Sequence, residues 1–128
     1  MPLIDLIALL ALLQFFVFGA LVGRARGRYG VKAPAVTGHE MFERAYRVQM
    51  NTLEPLVIFL PVLYLSARYW APLPAAIGGA VYLVGRAVYQ QAYMADPARR
   101  SLGFALSAGP CVVLMAAAGI GAVRAMVG

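Results

Sequence analysis

Four apolar segments separated by short connections constrain this chain more than any other feature of its sequence. They cover residues 3–22, 40–68, 74–94 and 101–124. Each has at least the roughly 20 residues that a helix needs to cross the hydrocarbon core of a bilayer. The chain is also 62% hydrophobic and only 12% charged, whereas soluble domains usually carry about 25% charged residues. We therefore predict an all-α integral membrane protein, with one four-span domain over residues 1–128.

The positions of the basic residues indicate how the chain is oriented rather than what it binds. The net charge is +6, and most basic residues fall in the first and third connections: Arg24, Arg26, Arg28, Lys32, Arg99 and Arg100. Because cytoplasmic loops carry an excess of Lys and Arg, we expect both connections to be cytoplasmic and both chain ends to lie on the opposite side. No soluble basic module predicts a nucleic-acid partner, and no cluster of His, Cys and carboxylates predicts a metal site.

Two stripes of polar side chains interrupt the second and third apolar segments. At about 100° per residue, one side of the second helix carries Arg44, Arg47, Asn51 and Glu54, with Gln49 on nearly the opposite side. The third helix carries Tyr82, Arg86, Tyr89 and Tyr93 at helical spacing. Ionisable groups at membrane depth are costly and normally face the protein interior or a wet cavity. The two stripes therefore predict a polar cleft between these helices.

Two interpretations of this cleft remain open from the residues alone. Arg86 and Glu54 could neutralise each other between the helices, which would make the stripes structural. Alternatively, basic groups outnumber carboxylates in this region, which leaves room for an anionic ligand. Guanidinium groups suit carboxylates, and amides and phenols can hydrogen-bond a peptide-like ligand.

Two runs of sequence resemble a known family, the membrane-associated proteins in eicosanoid and glutathione metabolism (MAPEG). They are Phe42–Glu54, which resembles the signature of the family's second helix, and Tyr82–Tyr93, which resembles that of its third helix. The likeness covers nearly the whole chain and is greatest to the microsomal glutathione transferase and leukotriene C synthase members. The resemblance implies a homotrimer of four-helix subunits, with glutathione as co-substrate between neighbouring subunits near the cytoplasmic helix ends.

The resemblance also implies roles for individual residues. Positions that match glutathione contacts within one subunit are Arg47, Asn51, Glu54, Tyr89 and Tyr93, and positions that match contacts from the neighbouring subunit are Arg26 and Gln49. Arg86 joins the binding set because it shares the stripe of Tyr89 and Tyr93. Arg100 matches the arginine that stabilises the glutathione thiolate, and we assign it the catalytic role. A free cysteine thiol has a pKa of about 8.5, so a nearby guanidinium would increase the reactive thiolate fraction.

Two positions depart from the synthase pattern and count against leukotriene synthesis. Pro55 stands where an aromatic glutathione contact is usual, and Gly27 where a second loop arginine is common. We predict a membrane-bound glutathione transferase that joins the thiolate to lipophilic electrophiles arriving from membrane lipid, with reduction of lipid hydroperoxides as a second activity. The alternatives are a non-catalytic lipid-binding or glutathione-binding scaffold of the same family and, ranked last, a transporter or channel subunit whose polar stripes line a pathway.

Overall fold

Four long helices account for nearly the whole chain. The computed structural model describes residues 1–128, with helices α1 (Pro2–Tyr29), α2 (Glu40–Tyr69), α3 (Pro72–Ala95) and α4 (Ser101–Val127), and a short 3-10 turn at Pro97–Arg99 before α4. Each segment predicted as a span falls within one of these helices, and no strand is present. The predicted fold class, an all-α membrane bundle of four helices, is confirmed.

The helices differ in how strongly their composition suits a membrane. By length and composition, α1, α2 and the segment Pro97–Val127 that contains α4 are apolar enough to cross one. The 24-residue α3 is not in this set, because Arg86 and two glutamines interrupt its apolar sequence. Arg86 is nevertheless only 1% exposed, so α3 directs its most polar side chain into the bundle.

The ends of the helices are set by local chemistry. α1 ends at Gly30, whose left-handed backbone (φ 68°) favours a residue without Cβ. α2 begins after His39, whose Nδ1 accepts a hydrogen bond of 3.1 Å from the Met41 N–H and whose ring stacks on Tyr29 at 3.9 Å. α3 begins with Pro72, a residue well suited to a first helical turn. The chain therefore turns sharply between helices that pack side by side.

The packing order places α2 and α3 at the centre of the bundle. Each of these two helices contacts all the others, whereas α1 and α4 scarcely meet. At the end of the bundle away from the basic connections, a buried apolar cluster includes Ile4, Ile7, Phe59, Leu63 and Ala75, and we call it the distal core. The outward surfaces of the helices are apolar, as expected for residues that face lipid.

Candidate functional site

The most buried charged group in the molecule is the Arg86 guanidinium. It donates hydrogen bonds to the Thr52 hydroxyl (Nη2, 2.9 Å; Nε, 3.3 Å), to the Ser107 hydroxyl (Nη1, 3.0 Å) and to the Asn51 carbonyl (Nη2, 3.1 Å). The guanidinium carbon also lies 4.1 Å from the centre of the Tyr89 ring, within range of a cation–π interaction. Arg86 on α3 thus joins α2 and α4, and we call Arg86, Thr52 and Ser107 the polar layer.

The two hydroxyls of the polar layer are oriented by their own helices. The Thr52 hydroxyl donates to the Val48 carbonyl (2.7 Å), and the Ser107 hydroxyl donates to the Gly103 carbonyl (2.8 Å). Each hydroxyl proton is therefore engaged, and the oxygen lone pairs remain for Arg86. Two neutral residues that the sequence analysis did not select thus become the acceptors of a buried cation.

The Asn51 carbonyl is available to Arg86 for a reason that lies in the sequence. In a regular helix this carbonyl would accept from the N–H four residues later, but that residue is Pro55, which has none. Arg86 supplies the missing donor at 3.1 Å. A proline that departs from the synthase pattern is thus coupled directly to the central cation of the site.

No carboxylate neutralises Arg86. The only ion pair in the structure joins Arg44 to Glu40 at 2.5 Å, so Arg86 and Glu54 do not neutralise each other, as the structural interpretation of the cleft required. Glu54 is exposed, and Arg86 is satisfied by hydroxyls and a carbonyl instead. Four of its five N–H groups have acceptors in the chain, which leaves one N–H on Nη1 and a full positive charge without a counter-charge.

A groove of about 440 Å³ opens beside this cation on the surface formed by α2, α3 and α4. Its polar end is lined by Asn51, Glu54, Arg86, Tyr89 and Arg100, all of which were predicted as site residues. Towards the middle of the bundle the lining becomes apolar and includes Pro55, Ile58, Phe104, Cys111, Val112 and Met115. The groove therefore grades from charged to apolar along its length, a pattern that suits two ligands of different polarity.

Tyr89 forms part of the wall of this groove. Its hydroxyl accepts a hydrogen bond of 2.9 Å from the Asn51 side-chain amide, and its ring packs with Phe18, Val48 and Tyr93 in a buried cluster. The rings of Tyr89 and Tyr93 lie 5.5 Å apart. Tyr93, also predicted as a site residue, thus supports Tyr89 from the interior and does not line the groove.

The other predicted site residues lie outside the groove of this chain. Arg47 is exposed on α2, and Gln49 lines a different surface between α1 and α2. Arg26 donates a 2.7 Å hydrogen bond to the Ala35 carbonyl and stacks at 4.7 Å over the Phe42 ring, so it helps to hold the first connection. The structure thus brings together five of the nine predicted residues on one surface and distributes the rest over other surfaces.

Two residues of the predicted stripes have structural partners. The Arg44 guanidinium donates to the carbonyls of Met94 (2.8 Å) and Ala95 (3.1 Å), which completes the carboxyl end of α3. Tyr82 stacks on Phe59 with ring centres 3.9 Å apart and is fully buried. The helical spacing placed both residues on the interior side of their helices correctly but did not separate them from the ligand-facing residues.

The fold and this groove define an integral membrane protein of four helices with a polar-to-apolar groove on one side. Comparison with known proteins assigns the chain to a family within this class. The model of the MAPEG family matches residues 4–120. The chain belongs to the MAPEG family, as the signatures of its second and third helices predicted.

Individual relatives support the same assignment. Microsomal glutathione S-transferase 2 from Homo sapiens is 37% identical over 108 residues, which covers 84% of this chain and 74% of the relative. Leukotriene C4 synthase from Bos taurus is 34% identical over 115 residues, with coverage of 90% and 77%. An uncharacterized protein from Synechocystis sp. is 49% identical over 113 residues, with coverage of 88% and 82%.

Proposed function

We propose that the chain is a membrane-bound glutathione transferase, and that the groove beside Arg86 holds glutathione at its polar end and a lipophilic electrophile at its apolar end. The observation that carries this proposal is the buried Arg86 cation, which lines a groove and lacks a counter-charge. Glutathione offers two carboxylates and a thiol. The similarity to a glutathione S-transferase supports this choice of anion.

Each residue of the polar end has a chemical part in the proposal. Arg86 attracts one glutathione carboxylate with its remaining N–H. Arg47 is one helical turn before Asn51 on α2 and binds the second carboxylate. The Asn51 and Glu54 side chains bind the amide and amino groups of the tripeptide. Tyr89 packs against the ligand, and Tyr93 holds Tyr89 in place.

Arg100 is the proposed catalytic residue. It lines the polar end of the groove and is exposed, so its charge can lie beside the glutathione sulfur, where it favours the thiolate over the thiol. The thiol releases its proton to water, and the thiolate attacks the electrophilic carbon while the leaving group departs. With a lipid hydroperoxide the same thiolate attacks the outer peroxide oxygen, releases the alcohol and is oxidised to a sulfenate. A second glutathione then attacks the sulfenate sulfur, which forms the disulfide and releases the oxygen as hydroxide.

The proposal includes assembly as a homotrimer, because Arg26 and Gln49 lie on surfaces of this chain away from its own groove. In the trimer these residues reach the groove of a neighbouring subunit. It also includes the orientation inferred from the basic connections, which places them and the glutathione end in the cytoplasm and both chain ends on the opposite side.

The mechanism is tested by comparing Arg100→Ala with Arg99→Ala. Arg99 is the adjacent exposed arginine and does not line the groove, so it controls for the loss of one positive charge. We expect Arg100→Ala to lower the rate of conjugation of an aryl halide by about 100-fold, the size typical of removing one preorganised charge partner, and to abolish the ultraviolet absorbance of bound thiolate. Arg99→Ala should retain both.

The same assay separates an enzyme from a scaffold. If the protein binds glutathione but shows no thiolate absorbance and no product with aryl halides or lipid hydroperoxides, the transferase proposal is wrong and the non-catalytic alternative holds. Shared sites are tested by co-expressing Arg100→Ala and Gln49→Ala subunits. Mixed trimers should regain activity, because some interfaces then combine an intact Arg100 with an intact Gln49 of its neighbour.

A further inference from the structure

A second cavity opens near the basic connections, between α1, α2 and α3. It has a volume of about 260 Å³ and is lined mainly by apolar side chains, among them Phe18, Leu21, Ala45, Val48 and Met94. It lies apart from the groove described above, because none of its lining residues belongs to that groove. A cavity of this composition suits the tail of an amphipathic molecule.

Two arginines, Arg24 and Arg28, complete the lining of this cavity. They are exposed, whereas Phe18, Ala25 and Val48 deeper in the cavity are buried, so the two cations lie at its outer rim. They are one helical turn apart on α1, which places both guanidinium groups on one side of the helix. Neither guanidinium forms an ion pair or a side-chain hydrogen bond within the chain, and that of Arg28 lies 5.5 Å from the centre of the Tyr29 ring.

The lining also lacks any carboxylate, and its remaining polar side chains are the neutral Gln90 and Tyr29. Arg24 and Arg28 follow directly after the apolar segment 3–22, at the depth where lipid head groups begin. An entirely water-soluble anion would not use the apolar walls, and a neutral lipid would not use the two charges. Both features together select an anion with a hydrocarbon tail.

We propose that this cavity binds one anionic phospholipid from the bilayer leaflet next to the basic connections. Its phosphate contacts Arg24 and Arg28, because guanidinium groups bind phosphate oxygens in a bidentate way. The first part of one acyl chain enters between Phe18, Leu21 and Val48. Basic pockets between transmembrane helices are a known physical solution for binding such head groups.

A lipid bound in this cavity would help to hold Tyr89, a residue of the groove wall, in position. Phe18 and Val48 line the cavity, and both belong to the buried cluster of Tyr89, which forms a wall of the groove. A bound acyl chain therefore fills space behind a residue whose other side faces the groove. Lipid binding should raise the thermal stability of the protein even without glutathione, so the test is independent of the proposed transferase activity.

The experiment measures binding of phosphatidylglycerol and phosphatidylcholine with matched acyl chains to the full-length protein in detergent. Native mass spectrometry should retain one phosphatidylglycerol per chain in preference to phosphatidylcholine, and phosphatidylglycerol should give the larger rise in melting temperature. The double variant Arg24→Gln with Arg28→Gln should bind phosphatidylglycerol about 10- to 30-fold more weakly, as expected for two lost contacts between arginine and an anionic lipid.

Two further variants separate this site from general attraction to anionic lipid. Arg68→Gln with Arg124→Gln removes the same charge at the other end of the bundle, where these arginines stack on Tyr69 and Trp70, and it should bind like the unchanged protein. Ala25→Leu keeps every charge but fills the cavity, and it should lose the retained lipid.

The proposal is overturned if both double variants weaken binding equally, since the attraction would then be diffuse. It is also overturned if Ala25→Leu retains phosphatidylglycerol as well as the unchanged protein does, because the cavity would then hold no acyl chain. Retention of a single-chain fatty acid in place of phosphatidylglycerol would assign the cavity to another occupant and refute the phospholipid.

Discussion

The distal core and the polar layer hold the same helices together by opposite means. The distal core packs Ile4, Phe59 and Leu63 without any solvent exposure and without a charged group. The polar layer joins α2, α3 and α4 through one guanidinium, two hydroxyls and a backbone carbonyl. The apolar packing of the distal core needs no ligand, whereas the buried Arg86 cation has no negative charge beside it to neutralise its own.

This difference indicates how stability and function are divided along the bundle. Replacing a buried ionic group with an apolar residue of similar size is often neutral or stabilising, so the folded chain gains little from keeping Arg86 charged. Truncating a packed apolar side chain costs both its transfer free energy and a cavity. The distal core should therefore dominate the free energy of unfolding, and the polar layer should dominate ligand binding.

The largest expected effect is on stability, from Leu63→Ala in the distal core. Leu63 is 0% exposed, and we expect its truncation to lower the free energy of unfolding by about 2–5 kcal/mol, measured by denaturation in detergent. Leu65→Ala is the matched control, because Leu65 lies on the same helix and is 41% exposed; its effect should be much smaller. Equal losses from both variants would contradict the assignment of the distal core.

Arg86→Met tests the other half of the comparison. Glutathione should bind about 10- to 150-fold more weakly, since a charge-assisted contact contributes roughly 1.5–3 kcal/mol and every 1.4 kcal/mol or so changes affinity tenfold. The free energy of unfolding without ligand should change by less than for Leu63→Ala. Calorimetric titration with glutathione and denaturation of the same sample measure the two quantities.

Arg44→Met is the control for Arg86→Met. Arg44 binds backbone carbonyls at the end of α3 and pairs with Glu40, so its loss should reduce stability and leave glutathione affinity nearly unchanged. If Arg86→Met were to lower the free energy of unfolding as much as Leu63→Ala does and leave the affinity for glutathione unchanged, the role of the polar layer would be structural.

Gly103→Ala should separate α3 from α4 at the edge of the groove. A Cβ added at Gly103 would meet the Tyr89 backbone, with the Tyr89 Cβ 2.7 Å away, and backbone cannot yield as a flexible side chain can. We expect a loss of about 1–3 kcal/mol in stability and weaker glutathione binding, because Tyr89 lines the groove. Gly109→Ala on the same helix has nothing within 4 Å of the added Cβ and should be neutral or slightly stabilising.

The helices and part of the site could be predicted from the sequence, whereas the contacts of the polar layer could not. Helical spacing and the apolar segments were sufficient for the four helices, and the stripe on α3 identified Arg86 and Tyr89. The one partner that the sequence suggested for Arg86 was the opposite charge of Glu54, and the structure does not pair them. The actual acceptors, Thr52 and Ser107, are neutral hydroxyls in apolar surroundings whose proximity arises only when three helices pack.

Other parts of the site depend on backbone groups that no side-chain pattern reveals. Arg44 belongs to the predicted stripe on α2, yet it binds the carbonyls that end α3, and the position of that helix end relative to α2 is a tertiary property. The roles of Arg47 and Gln49 in binding stay predictions, because both residues lie outside the groove of this chain.

The smallest expected effect comes from Pro55, which connects the backbone of α2 to the polar layer. Pro55→Ala restores an N–H that can donate to the Asn51 carbonyl, which at present accepts only from Arg86. Competition for this acceptor would hold the Arg86 guanidinium less firmly beside the groove. The competing bond from the new N–H is a neutral one and contributes about 1 kcal/mol, which corresponds to roughly a fivefold change in affinity. We therefore expect glutathione to bind about three- to tenfold more weakly to Pro55→Ala.

Pro61→Ala provides the matched control for this last variant. Pro61 also lies inside α2 and frees the carbonyl four residues before it, that of Val57, but no side chain donates to that carbonyl. Its replacement should change helix stability without changing glutathione affinity. A double-mutant cycle then decides the mechanism: if Pro55 acts through Arg86, Pro55→Ala should have little further effect in an Arg86→Met background. Additive effects would instead show that Pro55 alters the groove by its own ring, independently of the cation.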